Sequence, residues 1–147
     1  MSRVLAIDYG KKRCGLAVSD PLRIVAGGLS TVASNELAKF VKDYLAREDV
    51  GVIVIGEPHK LNGEESESMT YIRQFLNQLK KVVPDANVVF VDERFTTKIA
   101  QRAMIDGGVS KKNRNNKNGL VDMVSATIIL ETYMEMERNG LSFRSAF

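Results

Sequence analysis

The sequence predicts a mixed α/β sheet, on two observations. Three apolar segments, over 4–7, 14–19 and 23–31, follow one another with spacings too short for a crossover helix. That is the pattern of an antiparallel meander. After residue 34 the period changes, and amphipathic helical stretches alternate with continuous apolar runs, the pattern of β–α units. Right-handed crossovers then place strands four and five parallel to strand one.

Val4 to Ile7 is a continuous apolar run, suited to a strand buried on both faces, and it ends at Asp8-Tyr9-Gly10. Gly10 to Arg13 reads as a turn and Cys14 to Ser19 as strand two. Arg23 to Thr31 reads as strand three, with a bulge or bend at Gly27-Gly28. Leu37, Phe40, Val41, Tyr44 and Leu45 mark a first helix, with Ser34 or Asn35 as its cap. Val52 to Ile55 is strand four, stopped by Gly56-Glu57-Pro58. Met69, Ile72, Leu76, Leu79 and Val83 mark a second helix. Glu64, Glu65 and Glu67 are expected at its start, where the helix dipole favours acids. Val88 to Val91 is strand five, followed by Asp92-Glu93-Arg94. A helix is expected from Thr96 to Asp106, a polar loop over 109–119, and a last helix from Leu120 to Glu137. The expected organisation is one domain over 1–139 and a short tail over 140–147.

Composition narrows the class. Of 147 residues, 44% are hydrophobic and 27% charged, ordinary values for a globular domain. No apolar run approaches the roughly 18 residues that span a membrane. Asp8 breaks the only candidate leader segment, so a cytoplasmic protein without a membrane partner is expected. One cysteine, Cys14, excludes an intrachain disulfide and reads as a small core residue. With the single histidine, His59, it cannot build a zinc site.

The net charge is +3, but it is unevenly spread. From Thr31 to Asp92 there are ten acids and seven bases. From Glu93 to Asn118 there are seven bases and two acids. Lys11, Lys12 and Arg13 add three more bases in a row. Clustered bases on a basic chain are the footprint of a polyanion; a solvated loop would explain the same charges.

Strands one, four and five each end in acid: Asp8, Glu57 and the pair Asp92-Glu93. In an open α/β sheet, ligands collect at the carboxyl ends of the parallel strands. Asp122 adds a carboxylate in the first turn of the last helix. Each acid has a plainer explanation: Asp8 as a turn cap, Glu93 as the partner of Arg94, Asp122 as a helix-dipole charge. Together they repel unless a cation neutralises them. Hard divalent ions, Mg²⁺ or Mn²⁺, prefer such oxygen ligands. Two ions roughly 3.5–4 Å apart clamp the attacking and leaving oxygens of a phosphodiester displacement.

The ordered set of motifs then resembles a known family. Ile7-Asp8-Tyr9-Gly10 is followed by Gly15-Leu16-Ala17-Val18, by Val54-Ile55-Gly56 with Pro58 and Asn62-Gly63, by Asp92-Glu93-Arg94-Phe95-Thr96-Thr97, and by Val121-Asp122 with Ser125-Ala126. This series is similar to the YqgF/RuvX family of Holliday junction resolvase-like and pre-ribosomal RNA nucleases. The resemblance covers nearly the whole chain. It implies a ribonuclease H-like fold, a five-stranded mixed sheet of order 3-2-1-4-5 flanked by helices. It implies a metal-dependent nuclease site at Asp8, Glu93 and Asp122. It also implies a role in maturing the 5′ end of small-subunit ribosomal RNA precursor, with branched DNA as the other substrate. Glu57 departs from the family, which more often has an apolar residue before the proline. Proximity to strand one favours Glu57 as a ligand, but the family pattern keeps its acid in the strand-five motif, so Glu93 is expected to join Asp8 and Asp122, with Glu57 as an outer base or an extra ligand.

The expected nucleic-acid contacts are Lys11, Lys12, Arg94, Thr96, Lys111, Lys112, Arg114 and Lys117, with Thr97 beside Thr96 at a helix N-terminus. Tyr9 could stack on a base or simply pack. His59 could act as a general acid, though a solvated loop position is the plainer expectation. A monomer or weak homodimer is expected. Two other functions compete. A phosphotransferase of the actin/Hsp70 type shares the strand-Asp-Gly opening, but 147 residues supply only one of its two lobes. A non-catalytic nucleic-acid binder would not need all three acids.

Overall fold

Val4, Leu5, Ala6 and Ile7 have no solvent exposure at all, as a strand covered on both faces requires. In a computed structural model describing residues 2–60, 62–93 and 120–147, they form β1 (Arg3–Asp8) at the centre of a sheet. β2 (Arg13–Ser19) and β3 (Ala26–Ala33) pair antiparallel on one side. β4 (Val50–Glu57) and β5 (Val88–Asp92) pair parallel on the other. The order is β3-β2-β1-β4-β5, a ribonuclease H-like mixed sheet.

Strand alternation divides the core in two. Leu5, Ile7, Ile53, Ile55, Val88 and Phe90 face α1 (Leu37–Arg47) and α2 (Ser68–Val82). Val4, Ala6, Val52, Val54 and Val91 face α3 (Leu120–Arg138) through Ala126, Ile129, Leu130 and Tyr133. Each buried aliphatic side chain of this size contributes about 1.5–3 kcal/mol. Thr132 sits within α3 because its hydroxyl donates to the Ile128 carbonyl, 2.8 Å away. Among the described residues, no helix is long and apolar enough to cross a membrane.

Four local expectations are corrected. β3 begins at Ala26 and not at Arg23. The Asp20 carboxylate accepts the backbone N–H groups of Leu22, Ile24 and Val25, while Arg23 takes a left-handed φ of 56°. That turn uses up the residues assigned to the strand. The bulge falls where the glycines announced it, with Leu16 opposite Ser30 and Ala17 opposite Gly28.

Neither Ser34 nor Asn35 caps α1, because both lie in a 3₁₀ turn, Ser34–Glu36. The Ser34 hydroxyl turns inward and donates to the Gly10 carbonyl at 2.6 Å. Of the three acids expected at the start of α2, Glu67 is its N-cap residue, while Glu64 and Glu65 lie further upstream. Glu65 instead forms a β-bridge with His59 and pairs with Arg73. Finally, His59 is not solvated: both its ring nitrogens are shielded from water. The helix expected from Thr96 to Asp106 and the loop over 109–119 lie outside the described residues.

The tail folds back. Phe143 meets Tyr133 with ring centres 4.5 Å apart. The Phe90 N–H donates to the Arg144 carbonyl at 3.0 Å, and the Ala146 N–H to the Val88 carbonyl at 2.9 Å. These bonds lay the tail antiparallel along the outer edge of β5.

Candidate nuclease site

Asp8 ends the central strand, on the α3 face where the even-numbered residues of β1 point. Its in-register neighbour on β2 is Gly15. A Cβ at Gly15 would lie 2.0 Å from the Asp122 carbonyl oxygen and 2.9 Å from the Asp122 Cβ. Only glycine lets the first turn of α3 come down onto β2 here. Gly56 on β4 eases the same docking less strictly, since a Cβ there would meet the Ile129 Cδ1 tip at 2.8 Å. So two residues without side chains let α3 bring Asp122 to the end of β1.

Glu93 follows Val91 by two residues, and Val91 packs in the α3 core. Glu93 lies just past the end of β5, and its charge is felt by Asp8 on that face. Asp8 registers both neighbours. Its carboxyl is pushed up to about 7, first by burial, then by Glu93, then by Asp122. Burial and the adjacent Asp92 also raise the Glu93 carboxyl, while His59 pulls it down. Asp122 is held by Arg13, whose Nε donates to Oδ2 at 2.7 Å.

The donor chemistry fits a hard divalent cation: three carboxylates, no soft ligand, and mutual repulsion that a cation relieves. Among the described residues, no three His, Cys, Asp or Glu side chains already form a closed ligand set. The approach of Arg13 to Asp122 supplies part of the missing positive charge.

Glu57 goes elsewhere. It lies opposite Asp92 in the β4–β5 pairing, and both follow residues of the α1/α2 core. It therefore sits on the other face of the sheet from Asp8, paired with Arg144 and 3.3 Å from His59 Nε2. Arg144 is a partner that sequence reasoning missed. Its signal was faint, one base in a short tail.

Gly10, Lys11, Lys12 and Arg13, in the turn between β1 and β2, line an open cleft of about 600 Å³. Lys11 and Lys12 are exposed, and the Lys11 ammonium rests over the Tyr71 ring, 5.4 Å from its centre. Tyr9 packs, with its ring centre 5.9 Å from that of Phe75, and Cys14 is fully buried. Arg94, Thr96, Thr97, Lys111, Lys112, Arg114 and Lys117 lie outside the described residues.

A mixed five-stranded sheet with an acid ending its central strand defines the class: a ribonuclease H-like fold shared with junction resolvases. Thermus thermophilus RuvC, solved in complex with a Holliday junction substrate, matches with a TM-score of 0.62 at 15% identity, over 99% of each chain. The fowlpox virus Holliday junction resolvase matches at 0.50 and 14% identity, over 92% of this chain and 99% of its own. The family described as "RuvX: Holliday junction resolvase" matches residues 2–136, and this chain belongs to it. Relatives named "Putative pre-16S rRNA nuclease" include one from Phocaeicola vulgatus, 54% identical over 94% of this chain and 99% of its own. One from Flavobacterium johnsoniae is 49% identical over the same shares.

Proposed function

We propose that this chain is a divalent-metal-dependent nuclease that hydrolyses phosphodiester bonds of structured nucleic acid, with small-subunit ribosomal RNA precursor as its substrate. The carrying observation is the half-buried Asp8 carboxyl, whose pKa is raised to about 7 by desolvation, by Glu93 and by Asp122. A cluster so short of positive charge is built for a cation. Asp8, Glu93 and Asp122 are the proposed ligands of Mg²⁺ or Mn²⁺. When bound, such ions supply charge neutralisation at the scissile phosphate and a nucleophile at neutral pH.

The chain's own residues do the rest. Asp8 holds the centre, since β1 is fixed by strands on both sides. Gly15 sets how closely Asp122 approaches. Arg13 balances Asp122 in the absence of substrate and can pass to a phosphate oxygen, for which a guanidinium is suited. Lys11 and Lys12 flank the cleft as phosphate contacts. The bases at 94, 111, 112, 114 and 117 extend that grip along the nucleic-acid backbone.

A second substrate, four-way DNA, is favoured by the fold shared with RuvC. The experiment offers both side by side: purified protein with Mg²⁺ or Mn²⁺, a 5′-extended ribosomal RNA precursor and a four-way junction. Cleavage of the precursor that stops in chelator and in Asp8→Asn is expected. Cleavage that persists in excess chelator defeats the metal-nuclease proposal, and cutting of the junction alone moves the substrate to DNA.

A further inference from the structure

Behind the proposed metal site, on the opposite face of the sheet, lies a second charged cluster. Glu57 and Asp92 stand opposite each other at the ends of β4 and β5. Their side chains are only 15% and 17% exposed. Like charges directly opposite on neighbouring strands repel. Among the described residues, two basic groups lie beside them. His59 Nε2 is 3.3 Å from Glu57 Oε1 and 3.5 Å from Asp92 Oδ2. The Arg144 guanidinium pairs with the other oxygen of Glu57 and stacks over Phe90, 4.9 Å from the ring centre.

Both groups are anchored by their backbones. His59 bridges to Glu65, and Arg144 is bonded to β5 through Phe90. Neither His59 nitrogen has hydrogen-bond geometry to a partner. The ring is therefore held by packing and by the two carboxylates, not by a hydrogen-bonded scaffold of its own.

Asp92 is the last residue of β5, and Glu93 follows it. The strand stops there and Glu93 opens a 3₁₀ turn, so its direction follows from how the end of β5 is held. We infer that His59 and Arg144 are positioning residues, a two-armed clamp on the Glu57–Asp92 pair that keeps Glu93 turned toward Asp8 and Asp122. Their consequence for metal binding rests on the proposed role of Glu93; their consequence for the strand end does not. Releasing either arm lets the two carboxylates push apart at the residue where β5 turns into Glu93.

The test uses the full chain and four variants: His59→Gln, Arg144→Gln, and each combined with Glu57→Gln. Amide hydrogen exchange of the metal-free proteins is read over Val88 to Asp92, with β1 as the internal reference. Mn²⁺ affinity is read from the free-ion electron paramagnetic resonance signal. Either single substitution should speed exchange at the end of β5, leave β1 protected, and weaken Mn²⁺ binding roughly tenfold, the scale for supporting groups around a metal. Adding Glu57→Gln removes one of the opposed charges and should restore both readouts. This rescued pair also serves if a single variant fails to fold. Unchanged exchange in the single variants, an equal loss of protection in β1, or a double variant no better than its single parent overturns the clamp. A parent chain that binds no Mn²⁺ defeats the metal proposal instead, and the exchange arm then decides the clamp alone.

Discussion

Which glutamate can join Asp8 is a question of parity along a strand. Glu57 shares its face with Ile53 and Ile55, while Glu93, just past the end of β5, is the glutamate whose charge reaches Asp8. Substituting Glu93→Gln should therefore cost orders of magnitude in cleavage rate, and Glu57→Gln should stay within about tenfold, both measured at saturating Mg²⁺. The reverse ranking would move the site to β4. Asp8 also makes stability depend on pH. Its folded carboxyl lies near 7 and its unfolded value near 3.8, so between these the folded chain holds a proton that the unfolded chain has lost. Metal-free stability should therefore fall as pH rises from about 4 to about 7, by at most ~4 kcal/mol, and level off above. Urea denaturation at pH 5 and pH 8 reads this directly. Asp8→Asn should flatten the slope, and Mg²⁺ should restore the parent chain at pH 8 while leaving Asp8→Asn unmoved. A parent slope equal to that of Asp8→Asn would remove Asp8 as its source. At this scale the sequence supplied the acids, but the choice of Glu93 over Glu57 came from the family pattern and not from the residues themselves. The choice turns on which face each strand end presents, and His59 was misjudged because Arg144 and Asp92 lie far along the chain from it.

Between residue and fold stands the docking of α3 on β1 and β2. The backbone of Asp122 occupies the space a side chain at residue 15 would need. Gly15→Ala should lift the first turn of α3, costing about 1–3 kcal/mol of stability by overpacking. It should also cost on the order of 100-fold in cleavage, since about 1 Å of misplacement suffices for that. Thermal melting and single-turnover rates on one preparation separate the two effects. A rate equal to that of the parent would show that Asp122 does not need this approach. The glycine was visible in the sequence as part of a motif, but its reason was not, because the group it accommodates is 107 residues further on, at Asp122. Strands one, four and five were legible from their continuous apolar runs. The start of strand three was not, since the Asp20 turn reads locally like the strand it precedes.

Across the whole molecule, two apolar layers meet at one sheet, and both charged clusters sit at the same sheet end on opposite faces. The tail joins them by covering the outer edge of β5. At the other side of the sheet, β3 pairs only with β2 among the described residues, and its stretch Ala26–Ala33 holds neither charge nor proline. An uncovered strand edge of that kind invites another strand. Among the described residues, each copy of the chain thus offers one such edge, and association through it has a valency of one. A unit of valency one ends in a pair, while a unit of valency two polymerises. Deleting residues 141–147 uncovers β5 and raises the valency to two. Light scattering should then report species that grow with concentration past two copies, where the full chain stops at two or fewer. A shortened chain with the same size distribution as the full one would mean that the tail does not govern association. If the shortened chain does grow, seven residues separate a protein that halts at a pair from one that extends into fibres.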